Sequence, residues 1–167
     1  MRIRREDSQD VQRVRTVNIA AFGTGAEAHI VDTLRSDVAD HISLVADDHG
    51  EVVGHIMFSP VRAAGAPDLR AVALAPMAVI PTRQRTGIGS ALVRAGLDEC
   101  RRSGTGAVFV VGHPAYYPRF GFSPASHFGF TCEFDVRDEV FMAAELIPGV
   151  LAGGSGIVYF HEVFRDA

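Results

Sequence analysis

Apolar residues along this chain recur with two periods, and the points where one period gives way to the other mark its elements. A helical spacing links Val11, Val14, Ile19 and Phe22, after an Asp7 or Ser8 that can cap the first turn. Gly23-Thr24-Gly25 breaks that run, and a second helix follows with Ile30, Val31 and Leu34 on its apolar side. Extended runs read as strands over 41–46 and 51–58, with Asp47-Asp48-His49-Gly50 as the hairpin turn between them. Arg2 to Arg5 can form a short first strand. Further along, 71–80 and 107–112 are continuous apolar runs that suit buried strands. Between those two lies a helix over 87–102 with Ile88, Ala91, Leu92 and Ala95 on one face. Residues 114–120 fit one or two helical turns, and 128–134, 139–146 and 156–160 read as strands or edges. Strands alternating with helices, with hairpins at both ends, predict an α/β fold around a mixed sheet.

One of these strands is irregular. Along 71–80 the bulky residues fall at Val72 and Leu74, then at Met77 and Val79, so the phase slips by one at Ala75-Pro76. Proline cannot donate to a ladder, and one extra residue turns every later side chain to the other face unless a bulge absorbs it. A plain edge strand that tolerates proline is the competing reading. The phosphate-type turn directly after the strand favours a bulge, which would splay the strand and leave backbone groups free at Met77, Ala78 and Val79.

That turn is Pro81-Thr82-Arg83-Gln84-Arg85-Thr86-Gly87-Ile88-Gly89-Ser90. A strand, a Gly-containing turn and a helix start stand in succession. Glycine lets a backbone approach a ligand closely, and a helix N-terminus presents N–H groups to an anion. Arg83 and Arg85 add positive charge at the same place. The pattern is a seat for a phosphate or pyrophosphate.

Composition narrows what that seat can serve. All 16 basic residues are arginine, which excludes a Walker-type phosphate lysine and any lysyl imine. The net charge of −4 gives no basis for broad binding to nucleic acid or to an anionic membrane. Two cysteines, Cys100 and Cys132, are too few for a disulfide framework or a cysteine metal site, so no metal is expected. No apolar run reaches spanning length, and Met1 to Arg5 lacks the apolar stretch of a signal peptide. With 167 residues, 47% of them hydrophobic, the chain suits one domain over 1–167, read as reduced, soluble and cytoplasmic.

A dinucleotide fold would need G-x-G-x-x-G in the turn and an acidic residue after the next strand. Here Leu92 stands at the third glycine position and the next strand ends Val110-Val111-Gly112-His113, which disfavours an NAD-dependent redox enzyme. Instead Gln84-x-x-Gly87-x-Gly89 resembles the acyl-CoA signature of the GNAT superfamily of N-acetyltransferases. Tyr116-Tyr117-Pro118-Arg119-Phe120-Gly121-Phe122 is similar to the Tyr-x-x-Phe-Gly-Phe of many members. The tail from Ala144 to Gly149 and from Gly153 to Gly156 is similar to a bacterial subgroup of N-acetyltransferases with no assigned substrate. The resemblance runs from Ile3 to Phe160. It implies a mostly antiparallel central sheet with a splayed strand and helices on both faces.

For function, the resemblance implies an enzyme that moves the acetyl group of acetyl-CoA to an amine by direct attack in a ternary complex. Backbone N–H groups from Arg85, Thr86, Gly87, Ile88, Gly89 and Ser90 would hold the pyrophosphate. Met77, Ala78 and Val79 would pair with the pantetheine arm, and the Val79 N–H would polarise the thioester carbonyl. Tyr117 matches the tyrosine that protonates the departing sulfur; a phenol with a pKa near ~10 keeps its proton at neutral pH. The base is open among His113, Glu27 and a chain of waters, and each of those side chains suits a structural or surface role as well. Both cysteines read as structural, which disfavours an acyl-cysteine route. The acceptor would be a small-molecule amine or a peptide, selected by a surface that includes His29, Asp32, Asp68, His127, Phe128, Phe130 and Glu133. A non-catalytic acyl-CoA-binding module of the same fold is the alternative. Strands exposed near the C-terminus suit a homodimer.

Overall fold

Asp47 to Gly50 makes the reversal that its composition asks for. His49 has φ 53° and Gly50 φ 87°, the two positive values of a type I′ turn, whose twist matches the strands it joins. A computed structural model describes residues 1–166 and divides the chain into two interleaved compact units.

The first unit comprises Met1–Ser59, Ala75–Asp98 and the tail from Glu162. Strand β1 (Arg2–Arg5) is followed by helices α1 (Val11–Phe22) and α2 (Ala26–Asp37). The strands β2 (Ile42–Asp48), β3 (Glu51–Ala63) and β4 (Ala71–Val79) precede helix α3 (Ile88–Arg102). Strands β1, β2 and β3 form an antiparallel ladder with a register shift at Ala46/Asp47. Strand alternation then assigns the faces. Met57 lies in a cluster with Val14, Val17, Ile30, Val31 and Leu34 from α1 and α2. Gly54 and Phe58 point the other way, onto Ile88, Leu92 and Gly96 of α3. Helices therefore cover both faces of this unit's sheet.

Helix α1 starts later than its sequence suggests. Asp10 occupies the N-cap position, and its carboxylate makes no cap hydrogen bond into the helix. It accepts instead from Arg4 at 2.7 and 3.0 Å and from the Asp7 amide at 2.8 Å. An ion pair outcompetes the helix N-terminus for this carboxylate, because Asp10 is only 1% exposed and needs a full counter-charge.

The second unit comprises Pro60–Leu74 and Glu99–His161. Strand β5 (Ala107–Val111) runs parallel to β4 from Ala71↔Ala107 to Ala73↔Phe109, where that ladder ends. Strand β6 (Ser123–Pro124) and β5 both pair antiparallel with β8 (Phe141–Glu145). Strand β7 (Phe130–Cys132) runs parallel to β9 (Gly156–Tyr159), which pairs antiparallel with Arg62 and Ala63. Two strands are shorter than their apolar runs, because 3-10 turns at Ala125–Phe128 and Asp138–Val140 claim their first residues. Phe109 anchors the core, edge-on to Phe130 and stacked on Phe141, both at 5.6 Å.

The fold is thus α/β with a mixed, mostly antiparallel sheet. Burial along β4 is continuous from Ala71 to Leu74; beyond it Pro76 and Ala78 are buried while Ala75, Met77 and Val79 are half-buried, so the even positions stay inward and burial shows no slip of phase at Ala75-Pro76. The Ala75–Pro76 peptide bond is cis.

Candidate active site

The turn between β4 and α3 is built by backbone conformation before any side chain acts. Pro81–Arg83 form a single 3-10 turn, Arg85 has φ 62° and Gly87 φ 91°. Two left-handed residues this close fold the chain so that successive N–H groups can converge, the geometry that favours anions. The first hydrogen bond of α3 runs from the Ala91 N–H to the Gly87 carbonyl at 3.0 Å. The N–H groups of the turn before it have no acceptor within the helix. A Cβ at Gly87 would meet nothing within 4 Å, so glycine is there for its φ and for the open approach above it.

Side chains brace this turn from inside. The Gln84 amide donates to the Val79 carbonyl at 3.0 Å, and the Thr86 hydroxyl donates to the Arg83 carbonyl at 2.5 Å. Arg83 donates to Asp48 at 2.8 Å and holds that carboxyl below the usual range. Arg83 is thus tied to the β2–β3 hairpin. Arg85 is exposed and has no ion pair among the described residues.

Backbone direction in β4 refines the three residues expected to hold the pantetheine arm. The Ile80 N–H donates to the Val53 carbonyl on β3 at 3.0 Å. Successive residues of a strand direct their N–H and C=O groups to opposite edges. Ala78 thus shares the β3 edge with Ile80, while Met77 and Val79 direct theirs to the opposite edge. Ala78 is not free: its backbone faces β3 and its methyl is buried among the α1 and α2 side chains. The Val79 carbonyl is already taken by Gln84, which leaves the Val79 N–H.

Tyr117 opens a 3-10 turn, Tyr117–Phe120, that Gly121 closes with φ 94°. Its N–H reaches the His113 carbonyl at 3.3 Å. The ring packs edge-on to Tyr116 at 5.1 Å and Phe122 at 5.6 Å. Burial pushes the phenol up to about 12, so it keeps its proton at any ordinary pH. Tyr116 stacks instead under Arg119, whose guanidinium carbon is 4.9 Å from its ring centre. Of the candidate bases, His113 is exposed and Glu27 half-buried in the first turn of α2.

Several residues proposed for the acceptor surface are otherwise engaged. Phe130 is 1% exposed and belongs to the core. Glu133 accepts from the Phe160 N–H at 2.6 Å, and Asp32 is shared by Arg15 and Arg35. Burial pushes Cys100 up to about 12 and raises Cys132 as well, so both sulfurs are held as thiols. The sequence reading has Asp48 only as a hairpin-turn residue and gives no sign of its contact with Arg83, which lies 35 positions away.

A family model described as an acetyltransferase (GNAT) domain matches residues 2–125. The chain is 38% identical over 166 residues to an uncharacterized N-acetyltransferase, YhbS of Escherichia coli K12, covering 99% of each. The crystal structure of E. coli YhbS in complex with CoA superposes with a TM-score of 0.93 at 36% identity, over 98% of this chain and 91% of that one. A GNAT family acetyltransferase of Brucella melitensis in complex with acetyl-CoA gives a TM-score of 0.81, also at 36% identity, over 98% and 97%. No helix of the described residues is long and apolar enough to cross a membrane.

Proposed function

Since the chain belongs to the GNAT family of acetyltransferases, we propose that it moves the acetyl group of acetyl-CoA to a primary amine by direct attack in a ternary complex. We read the whole chain as one such domain, supported by relatives that align end to end. The observation that carries the donor reading is the turn at Arg85–Gly87 opening directly into α3. Its N–H groups, from Arg85 to Ser90, would take the pyrophosphate, with the helix dipole adding about 0.3–1 kcal/mol per charge. Met77 and Val79, whose backbone groups point away from β3, would pair with the pantetheine arm. Gln84 would act from behind by fixing the Val79 carbonyl and with it the direction of the Val79 N–H.

The chemistry follows from what a thioester requires. A neutral amine attacks the carbonyl carbon, and the Val79 N–H stabilises the charge that grows on its oxygen. The C–S bond then breaks. One proton leaves the amine nitrogen and one is gained at sulfur, so the exchange balances without any further reactant. Tyr117 is the donor toward that sulfur, supported by its place in the motif and by a burial that keeps the phenol protonated. His113, Glu27 or water would take the amine proton. The acceptor is a small-molecule amine or a peptide.

A thiol-release assay over a panel of amines, peptides and aminoglycosides tests this reading. Turnover above thioester hydrolysis is expected with at least one class. Tight acetyl-CoA binding with no turnover would favour a sensing module instead. Tyr117→Phe should lower kcat by about a hundredfold while coenzyme A affinity holds; unchanged turnover would remove Tyr117 from the mechanism.

A further inference from the structure

The chain's glycines do different jobs, and one of them acts on the tyrosine. Gly87 and Gly121 have positive φ and open space where a Cβ would be. Gly112 is the reverse case. Its φ lies outside the left-handed region, so its backbone would accept alanine. The space would not: a Cβ there would lie 2.3 Å from Cε2 of Tyr117, 2.9 Å from Cδ2 and 3.3 Å from Cζ.

Neither side of that contact can easily give way. The Gly112 N–H donates to the Val140 carbonyl at 2.9 Å, continuing the ladder in which Val111 pairs with Phe141. The Tyr117 ring is boxed by Tyr116, Phe122 and Phe120, with ring centres at 5.1, 5.6 and 6.4 Å. Its N–H is tied to the His113 carbonyl, one residue beyond Gly112. The clash would fall on the Cδ2–Cε2 edge of the ring, next to the Cζ that carries the hydroxyl.

We propose that Gly112 is a positioning residue, whose missing side chain is the seat that fixes the Tyr117 hydroxyl for transfer to sulfur. This rests on the reading of Tyr117 as the proton donor. A side chain at 112 would bear on the Tyr117 ring and displace the phenol from that seat.

Gly112→Ala tests it with three readouts at neutral pH. The chain has three tyrosines and no tryptophan, so a tyrosine-labelled NMR spectrum is simple, and Tyr117→Phe assigns the ring. Gly112→Ala should shift the Tyr117 ring signals. It should cost stability beside Tyr117 and none in a Tyr117→Ala background, where the ring is gone. Its kcat, with the amine that gives most turnover, should fall toward that of Tyr117→Phe, with no further fall when the two are combined. Coenzyme A affinity should be unchanged. Unmoved ring signals, or a stability cost that persists without the ring, would overturn the seat. Shifted signals with full kcat in both single variants would keep the seat and remove the proton-donor reading.

Discussion

Arg83 and Arg85 stand two residues apart with the same charge, yet their surroundings give them different roles. Arg83 is bound to Asp48 and braces the turn, whereas the exposed Arg85 is available to an anion. Arg85→Gln should weaken coenzyme A binding about two- to fivefold by isothermal titration, as expected for one exposed charge near a helix N-terminus. The loss should shrink at high salt, where such contacts are screened. Arg83→Gln should leave the affinity nearly unchanged, since its partner is Asp48. An equal loss from both would mean that the Asp48 contact yields to the ligand. At this scale the motif was legible as Gln84, Gly87 and Gly89, but the division of labour between the arginines was not. It depends on a residue 35 positions away.

Helix α3 docks on β3 through a contact that inverts an ordinary rule. Glycine inside a helix normally costs about 1 kcal/mol relative to alanine. A Cβ at Gly96, however, would lie 2.4 Å from Cε2 of Phe58 and 2.5 Å from its Cζ. Gly96→Ala is therefore expected to destabilise, by about 1–3 kcal/mol in urea unfolding, as overpacking does. Phe58→Leu in the same background should recover part of that loss. A stabilising Gly96→Ala would show that α3 can shift along the sheet. The other joint of this scale is Arg4, which bridges Asp10 before α1 and Asp47 on β2. Arg4→Ala leaves the buried Asp10 without its counter-charge and should cost about 3 kcal/mol. Periodicity had located α1 and both strands; it could not show that Asp10 caps an ion pair in preference to a helix.

Taken over the whole molecule, acid should act in two stages. His55 is fully buried, between the Ser43 hydroxyl at 2.8 Å and the Asn18 amide at 3.2 Å. Burial, with Arg35 nearby, lowers it from 6.5 to about 3. The unfolded chain therefore gains this proton before the folded one does. The stability it represents is complete above pH 6.5 and is lost as the pH falls from there toward 3. The loss between pH 7 and 5 should be about 2 kcal/mol by urea midpoint, and His55→Gln should remove most of that slope. The second stage belongs to Asp10 and Asp47, both lowered mainly by Arg4, and to Asp48, lowered mainly by Arg83. Their contribution is present above 3.8 and goes as the folded carboxylates protonate. The sequence alone determined the order of elements, the hairpin at His49-Gly50, the turn into α3 and the family resemblance. Those properties depend on residues within a few positions of one another, where periodicity and turn chemistry are complete. Only the tertiary structure decided which arginine is spent, which β4 groups face outward, why Phe130 and Glu133 are unavailable, and what Gly112 makes room for. Each is settled by contacts that the local pattern does not contain, because packing and charge pairing depend on distance in space.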